Sequence, residues 1–262
     1  MDQGDALREP RGIPTNLRLL FVLEELAKSG VPVTPTDVNQ RLGLPKPTIH
    51  RLFATLEAEG FLQRELDGRS YSPGGRLRQL ATHVLSSLQA RTARLAIMSR
   101  LAETIGETCN LAIPDREAMT YLDRVETKWP LRIQLPVGSQ VPLYCTASGK
   151  MYLSTLTRPH LERYLDRAAL TARAPKTITD PAGLVEEIKT TARRGYAQDD
   201  EEFMEGMIAI AVPITDDLGR LFATLSFHAP IQRLSLEAGH AHIGTLRDAA
   251  QELEQLVRSG EA

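Results

Sequence analysis

The hydrophobic positions of the first sixty residues repeat with the period of an α-helix. They define three segments, each with apolar residues at i, i+3, i+4, i+7 or part of that spacing. The apolar positions are Leu19, Val22, Leu23 and Leu26; Val38 and Leu42; and Ile49, Leu52, Phe53 and Leu56. A glycine follows each segment, at positions 30, 43 and 60, where helices commonly end. The pattern therefore predicts three short helices.

The second and third segments have the order of a helix-turn-helix. A short helix capped by Thr34 or Thr36 is followed by the turn Gly43-Leu44-Pro45 and a longer helix. The polar face of the longer helix combines small, hydrogen-bonding and cationic residues near its start, as a helix in the DNA major groove requires. Its candidate DNA-contacting residues are Lys46, Pro47, Thr48, His50 and Arg51. Solvated helical hairpins share this spacing, so it does not decide the function alone.

A basic hairpin follows the third helix. Residues 61–65 and 69–73 have the pattern of two short strands joined by Asp67-Gly68, a dipeptide typical of tight hairpins. Arg64 and Arg69 would flank a wing that reaches the DNA backbone or minor groove. From position 41 to 78 there are seven basic and four acidic residues, although the whole chain has a formal net charge of −2. We predict a winged helix-turn-helix over residues 14–75, after a disordered tail at 1–13.

The pattern changes after Gly74-Gly75, which we expect to act as a hinge. An apolar stripe at helical spacing from Leu77 towards Leu101 predicts a linker helix over residues 76–92. Strand-like and helix-like segments then alternate, with strands at 107–113, 117–126, 131–136, 207–215 and 219–228, helices at 147–168 and 181–194, and a last helix from Leu246 to Val257. This order predicts an α+β domain over residues 93–262.

Composition and charge exclude several classes of protein. The chain is 42% hydrophobic and 24% charged, and no run approaches 18 consecutive apolar residues, so we expect no membrane span. The polar first residues lack the apolar core of a signal peptide, which favours the cytoplasm. Cys109 and Cys145 have neither a Cys-x-x-Cys nor a zinc-site spacing, and we interpret them as buried thiols. No metal or cofactor is predicted.

The stretch VPLYCTASGKMYL, residues 141–153, contains Gly149-Lys150 beside small residues, as nucleotide-binding loops do. A Walker loop needs glycine where Tyr144 stands and serine or threonine where Met151 stands, so that interpretation fails. Cys145 has no general base placed for it by the sequence, and the acidic run at 199–202 has no histidine nearby. No catalytic residue is predicted, and Lys150 is assigned to a helix surface.

The same loop suits an anion. Thr146-Ala147-Ser148-Gly149 precedes a helical pattern, so it is predicted to form a helix N-terminus with free backbone N–H groups and a positive dipole end. Small residues let a ligand approach the backbone closely. A carboxylate would fit there as well as a phosphate.

Over residues 14–257 the chain resembles the IclR family of transcriptional regulators. The resemblance rests on several motifs in order, among them GLPKPTIHRLFATLEAEGFLQRE, LPVGSQVPLYCTASGKMYLS, RRGYAQDDEEFMEGMIAIAVPI and LSFHAPIQRLS. It implies a winged helix-turn-helix joined by a linker helix to an effector-binding domain of GAF-like α/β architecture. It also implies a homodimer, or a tetramer formed as a dimer of dimers, on double-stranded operator DNA.

Carried over by this resemblance, the effector contacts fall at seven positions. They are Ala147, Ser148, Asp199, Met207, Ala209, Ser226 and His228. Some members have Gly-Ala at positions 147–148, cysteine at 209 and serine at 228, so the ligand is left open. Structural roles also remain open: Asp199 as a helix cap, Ser226 as a core hydroxyl and His228 as a strand end. Trp129, Tyr144, Phe203 and Phe227 are expected in the core.

The sequence thus indicates a DNA-binding transcriptional regulator controlled by a small organic acid, with aromatic acids among the candidates. Two alternatives remain: a small-molecule enzyme with an accessory DNA-binding domain, and an architectural DNA-binding protein without a ligand. Turnover of a bound acid would favour the first, and a second domain without a cavity would favour the second.

Overall fold

The structure is a computed structural model that describes residues 13–85, 88–129 and 135–259. The chain forms two compact units that divide between Val84 and Leu85. Residues 1–12 of the expected tail, positions 86–87 of the expected linker helix and positions 131–134 of the expected strand lie outside the described residues.

The first unit is a winged helix-turn-helix, as predicted. After a 3₁₀ turn its elements are α1 (Arg18–Ser29), α2 (Pro35–Leu42), α3 (Lys46–Ala58), β1 (Leu62–Arg64), β2 (Tyr71–Pro73) and α4 (Gly75–Leu85). β1 and β2 are antiparallel, with Leu62 opposite Pro73 and Arg64 opposite Tyr71. The three helices and the hairpin at Asp67-Gly68 therefore match their sequence signals.

Local signals explain where these helices begin. Thr34 caps α2, because its hydroxyl accepts from the Asp37 N–H while the Asp37 carboxylate accepts from the Thr34 N–H. Gly43 ends α2 with a φ of 61°. The apolar faces meet in a small core whose fully buried members include Val22, Leu26, Ile49 and Phe53.

Gly74 permits a close backbone contact, which explains the glycine without a hinge. Its N–H donates to the Phe61 carbonyl at 2.7 Å, and the Arg76 N–H donates to the Gly60 carbonyl at 3.1 Å. A Cβ at position 74 would lie 2.3 Å from the Gly60 carbonyl oxygen. Gly74 therefore has a packing role, and the hinge expected at Gly74-Gly75 stays a prediction.

The second unit is built on a six-stranded antiparallel sheet in the order β5-β4-β3-β8-β7-β6. Its strands are β3 (Thr108–Asp115), β4 (Ala118–Val125), β5 (Gln140–Pro142), β6 (Ala197–Asp200), β7 (Met207–Thr215) and β8 (Leu221–Pro230). Its helices are α5 (Leu88–Ile105), α6 (Ala147–Leu153), α7 (Arg158–Leu165), α8 (Pro181–Arg194), α9 (Leu236–Gly239) and α10 (Ile243–Ser259).

The long predicted elements of this unit are present, and the differences involve short ones. The helix predicted at 147–168 is two helices, because residues 154–157 leave the helical path between α6 and α7. β5 and β6 were not predicted, since three or four residues give no clear alternation. No described helix is long and apolar enough to cross a membrane.

The two faces of this sheet differ in chemistry. One face presents large apolar side chains such as Ile210 and Phe227, which pack with Leu246 and other residues of α5 and α10. The other face presents small or polar residues, including Ala209, Ala211 and Ser226. α6 packs on that second face, where Ala147 and Met151 contact the alanines of β6 and β7.

Gly149 lets α6 pack tightly. A Cβ added at this position would lie 2.3 Å from the Leu143 Cα and 2.4 Å from its carbonyl oxygen. Since both atoms belong to the backbone, neither can move aside cheaply. The glycine therefore fixes the distance between α6 and the chain that leads into it.

We predict that Gly149→Ala lowers the free energy of unfolding by about 1–3 kcal/mol, the usual cost of overpacking. Gly244→Ala is the matched control, because Gly244 lies in α10 and its Cβ would meet nothing within 4 Å. That control should gain up to about 1 kcal/mol from helix propensity. Urea denaturation of both variants measures the difference, and equal stabilities would contradict the close approach.

Candidate functional site

The exposed start of α3 carries the predicted DNA-contacting side chains. Lys46, Pro47, His50 and Arg51 are exposed, and Thr48 is half-buried. Ile49, Phe53 and Leu56 occupy the buried face of the same helix. The side chains of Lys46, His50 and Arg51 make no hydrogen bond or ion pair with any described residue. Their donors and charges are therefore available to a partner.

The two arginines of the wing are in different situations. Arg64 donates to both carboxylate oxygens of Glu57, at 2.9 and 2.7 Å, and its guanidinium lies 5.1 Å from the centre of the Tyr71 ring. Arg69 is exposed, and its side chain has no partner among the described residues. Arg64 thus holds the hairpin to α3, and Arg69 is the arginine of the hairpin that is available.

The structure brings the seven candidate effector residues together. Ala147 and Ser148 open α6, and the other five lie on the sheet face that α6 covers. Asp199 is opposite Ala209 on the neighbouring strand, and Ala209 is opposite His228. Met207 lies at the start of β7 and is only half-buried.

Buried hydroxyl groups join α6 to the sheet. The Ser148 hydroxyl donates to the Ser226 hydroxyl at 3.4 Å, and Ser226 lies 3.4 Å from Nε2 of His228. Ser226 also donates to the Asn110 carbonyl at 3.5 Å. All these residues are buried. The region is therefore a polar patch enclosed between a helix and a sheet.

Sequence reasoning missed two members of this patch, Asn110 on β3 and Arg124 on β4. They are opposite each other in the sheet, and Asn110 is opposite Ser226. Arg124 donates to Oδ1 of Asn110 at 2.8 Å and pairs with Glu126 at 3.1 Å, while only 4% of its side chain is exposed. Nδ2 of Asn110 is buried without a partner among the described residues. An asparagine between Cys109 and Leu111, in the buried part of the strand, was the available signal.

His228 is neutral in this environment. Burial, and next the positive charge of Arg124, lower the pKa of His228 to about 3. The Tyr121 ring meets its imidazole edge-on at 6.2 Å, and burial raises the pKa of the Tyr121 phenol. At neutral pH these two side chains offer hydrogen bonds and no charge, so Arg124 supplies the buried positive charge.

Asp199 is tied to its own loop. Its Oδ1 accepts from the backbone N–H groups of Glu202 and Phe203 at 2.8 and 3.2 Å, so it caps a turn and not a helix. Burial raises the pKa of Asp199 to about 7; the positive charge of Lys150 opposes this by a smaller amount, and the negative charge of Glu202 adds to it. The carboxyl is therefore only partly ionised near neutral pH.

Lys150 is fully buried, so its assignment to a helix surface was wrong. Its ammonium group donates to Glu202 and lies 3.5 Å from Glu187, which in turn pairs with Arg194 at 2.8 Å. Burial raises the pKa of Glu202. The ion pair connects α6 to the loop after β6, fifty-two positions along the chain.

The aromatic residues and the cysteine singled out in the sequence lie outside the polar patch or are unreactive. Trp129, expected in the core, is 54% exposed. Phe227 is buried on the opposite face of the sheet, and the Tyr144 hydroxyl donates to the Thr171 carbonyl at 2.8 Å. Burial raises the pKa of the Cys145 thiol to about 12, which leaves little thiolate at neutral pH. The described residues contain no group of three or more metal-ligating side chains.

The start of α6 is a weaker anion site than expected. The helix has seven residues, and the Thr146 hydroxyl already accepts from the Gly149 N–H at 3.1 Å. A short helix sums few peptide dipoles, and its cap uses one of the free donors. The charge of a ligand is therefore better matched by Arg124 than by this helix.

Two family models match the chain. The model of the IclR helix-turn-helix domain matches residues 17–66, and the model described as Bacterial transcriptional regulator IclR C-terminal matches residues 82–255.

Individual relatives cover nearly the whole chain. The protein named Probable transcriptional regulator SauR, from Cupriavidus necator, is 38% identical over 237 residues, which are 90% of this chain and 94% of SauR. The Transcriptional repressor IclR of Escherichia coli is 31% identical over 221 residues, covering 83% of this chain and 80% of that protein. A solved IclR homolog complexed with 4-hydroxybenzoate, from Microbacterium hydrocarbonoxydans, has a TM-score of 0.60 and 27% identity, covering 94% of this chain and all of that one.

We predict that Lys150→Met lowers the free energy of unfolding by about 3–5 kcal/mol, because it leaves the Glu202 carboxylate buried without its counter-charge. Lys176→Met is the matched control. Lys176 pairs with Asp200 and Glu201 of the same loop, but half of its side chain is exposed, so its loss should cost at most about 1 kcal/mol. Chemical denaturation at pH 7.5 measures the free energy of unfolding of both variants. Similar losses would contradict the claim that the buried ion pair of Lys150 stabilises the fold more than the exposed one of Lys176.

Proposed function

The chain belongs to the IclR family of bacterial transcriptional regulators, and from this membership we propose that a small organic acid controls its binding to operator DNA. The first unit would read the operator, and the polar patch between α6 and the sheet would hold the acid.

The exposed start of α3 supports the DNA-binding half of this proposal. Lys46, His50 and Arg51 present free donors from the end of a helix whose other face is buried in the core. A recognition helix contacts bases through its N-terminal residues, while nearby cations contact phosphates. Arg69 would add a phosphate or minor-groove contact from the wing. A homodimer would place two such helices on a roughly palindromic operator.

One observation supports the acid-binding half, namely Nδ2 of Asn110, which has no partner among the described residues and lies beside the guanidinium of Arg124. A buried N–H donor without an acceptor costs about 1–3 kcal/mol. A carboxylate would satisfy Nδ2 of Asn110 and place its negative charge beside the buried Arg124. The adjacent hydroxyls of Ser148 and Ser226 and the neutral His228 would then bind the uncharged part of the ligand.

The side chains around this patch favour a compact ligand. Ala147 and Ala209 leave more room than larger residues would, and Tyr121 supplies one aromatic ring beside His228. Because one structural neighbour was solved with 4-hydroxybenzoate, aromatic acids belong among the candidates together with short aliphatic acids. The acid would act by binding one arrangement of the regulator better than another, since only differential affinity shifts an equilibrium.

We predict that Arg51→Ala weakens operator binding about tenfold or more, the usual cost of losing a base or phosphate contact, without unfolding the first unit. Lys28→Ala is the control, because it removes the same charge from the exposed end of α1. The measurement is a DNA titration at fixed salt, using operator fragments selected from random sequence. Equal affinities of Arg51→Ala and the wild type would contradict the assignment of α3.

We predict that at least one acid in a panel of acetate, succinate, benzoate and 4-hydroxybenzoate raises the melting temperature of the full chain, because a ligand of the folded state stabilises it. Asn110→Asp should abolish this rise, since it replaces the free donor by an acceptor of the same shape while Arg124 keeps its partner.

The control for this experiment is Thr120→Val. The Thr120 hydroxyl is also buried without a partner among the described residues, but it lies next to Tyr121 on β4 and so points to the other side of the sheet. Its acid response should equal that of the wild type. An unchanged response in Asn110→Asp, or no response of the wild type to any acid, would contradict the proposed site.

A further inference from the structure

Three described arginines of the second unit have no partner among the described residues. Between Arg91 and Arg247, the other arginine side chains that the structure describes bind a carboxylate, a hydroxyl or carbonyl oxygen, or an aromatic ring. Arg116, Arg163 and Arg167 make no such contact with any described residue. One unpaired surface arginine is ordinary, but these three line the same cleft.

The cleft has a volume of about 180 Å³ and lies between the β3–β4 turn, the end of α6 and α7. Arg116 lies in the β3–β4 turn. Arg163 lies in α7, and Arg167 lies two residues beyond the end of α7. The walls include Tyr152 and Tyr164, both half-buried, with Leu143 and Leu156. An apolar and aromatic interior thus has cations at its rim.

The charge in the cleft is positive. Glu117 is its one lining carboxylate, set against the three guanidinium groups. His160 also lines it, with Nδ1 lying 2.8 Å from the Thr157 hydroxyl and Nε2 without a partner among the described residues. Repulsion between unpaired guanidinium groups on one cleft is unfavourable unless an anion or solvent compensates it.

The backbone of the β3–β4 turn is strained at Arg116. Arg116 has a φ of 58°, a left-handed conformation that most residues with a side chain avoid at a cost of about 1–3 kcal/mol. Glycine or asparagine would adopt this conformation more easily. The turn therefore carries an arginine where local conformation favours another residue.

We propose that this cleft binds a small anion with at least two oxyanion groups on an apolar body, such as a phosphorylated or polycarboxylic metabolite. Guanidinium groups bind carboxylate and phosphate through paired N–H donors, and three of them suit more than one negative charge. A cleft of about 180 Å³ suits a small metabolite. The tyrosine and leucine walls would cover its apolar part.

This site is separate from the acid site and does not depend on the proposed function. Tyr152 and Leu156 lie at and beyond the end of α6, whereas Ser148 lies at its start. Because α6 is packed tightly through Gly149 against Leu143, which also lines the cleft, an anion here would contact the same rigid helix.

Isothermal titration calorimetry of the full chain tests the proposal with three probes at fixed ionic strength, each with at least two oxyanion groups on an apolar body: propane-1,2,3-tricarboxylate, benzene-1,2-dicarboxylate and 4-carboxyphenyl phosphate. We expect the wild type to bind at least one probe with one site per chain. The double variant Arg163→Gln/Arg167→Gln should lose at least about tenfold in affinity for that probe, from the loss of charged hydrogen bonds. The preferred probe tells whether phosphate or carboxylate is the natural group.

Arg158→Gln is the matched control. Arg158 lies on the same helix α7 and is highly exposed, but it pairs with Glu162 and does not line the cleft. It should keep wild-type affinity. Absence of binding to all three probes, or an equal loss in Arg158→Gln and the double variant, would overturn the proposal. Binding that Asn110→Asp abolishes and the double variant retains would instead assign the anion to the acid site.

Discussion

The second unit depends on the close approach of α6 to the sheet. Gly149 allows this approach, because any side chain there would collide with the backbone of Leu143. The small side chains of Ala209 and Ala211 provide the matching space on β7. The buried pair of Lys150 with Glu202 then fastens the helix to the loop after β6. Steric exclusion sets the distance, and a charge pair in a low-dielectric interior makes the arrangement costly to open.

The two faces of the sheet differ in what they contribute to stability. Branched and aromatic side chains such as Ile210 and Phe227 fill one face and pack on α5 and α10, where burial of apolar area stabilises the fold. The other face buries less apolar area, because polar residues such as Ser226 and Asn110 occupy part of it. Buried donors such as the Asn110 amide reduce stability, and the apolar face offsets that cost. Under the proposed function, an acid bound to the polar face would supply the acceptor that Nδ2 of Asn110 lacks.

Charge is distributed in a similar way. The arginines that hold elements together have carboxylate partners, as in the pair of Arg64 with Glu57 that fastens the wing. The cations on the exposed face of α3 and in the cleft beside α7 lack partners among the residues that the structure describes. The formal net charge of the whole chain is −2, so this average does not show the positive charge that these two surfaces carry locally.

Local patterns determined the helices, the hairpin and the long strands, because backbone hydrogen bonding and side-chain period act over a few residues. The winged helix-turn-helix and α8 at 181–194 follow from such patterns, and motif order indicated the family and seven residues of the proposed acid site. Only the tertiary structure decided that Lys150 is buried, that Trp129 is exposed and that Asn110 faces Arg124. Each of these outcomes depends on partners far along the chain, so no window of neighbouring residues contains the information that decides them.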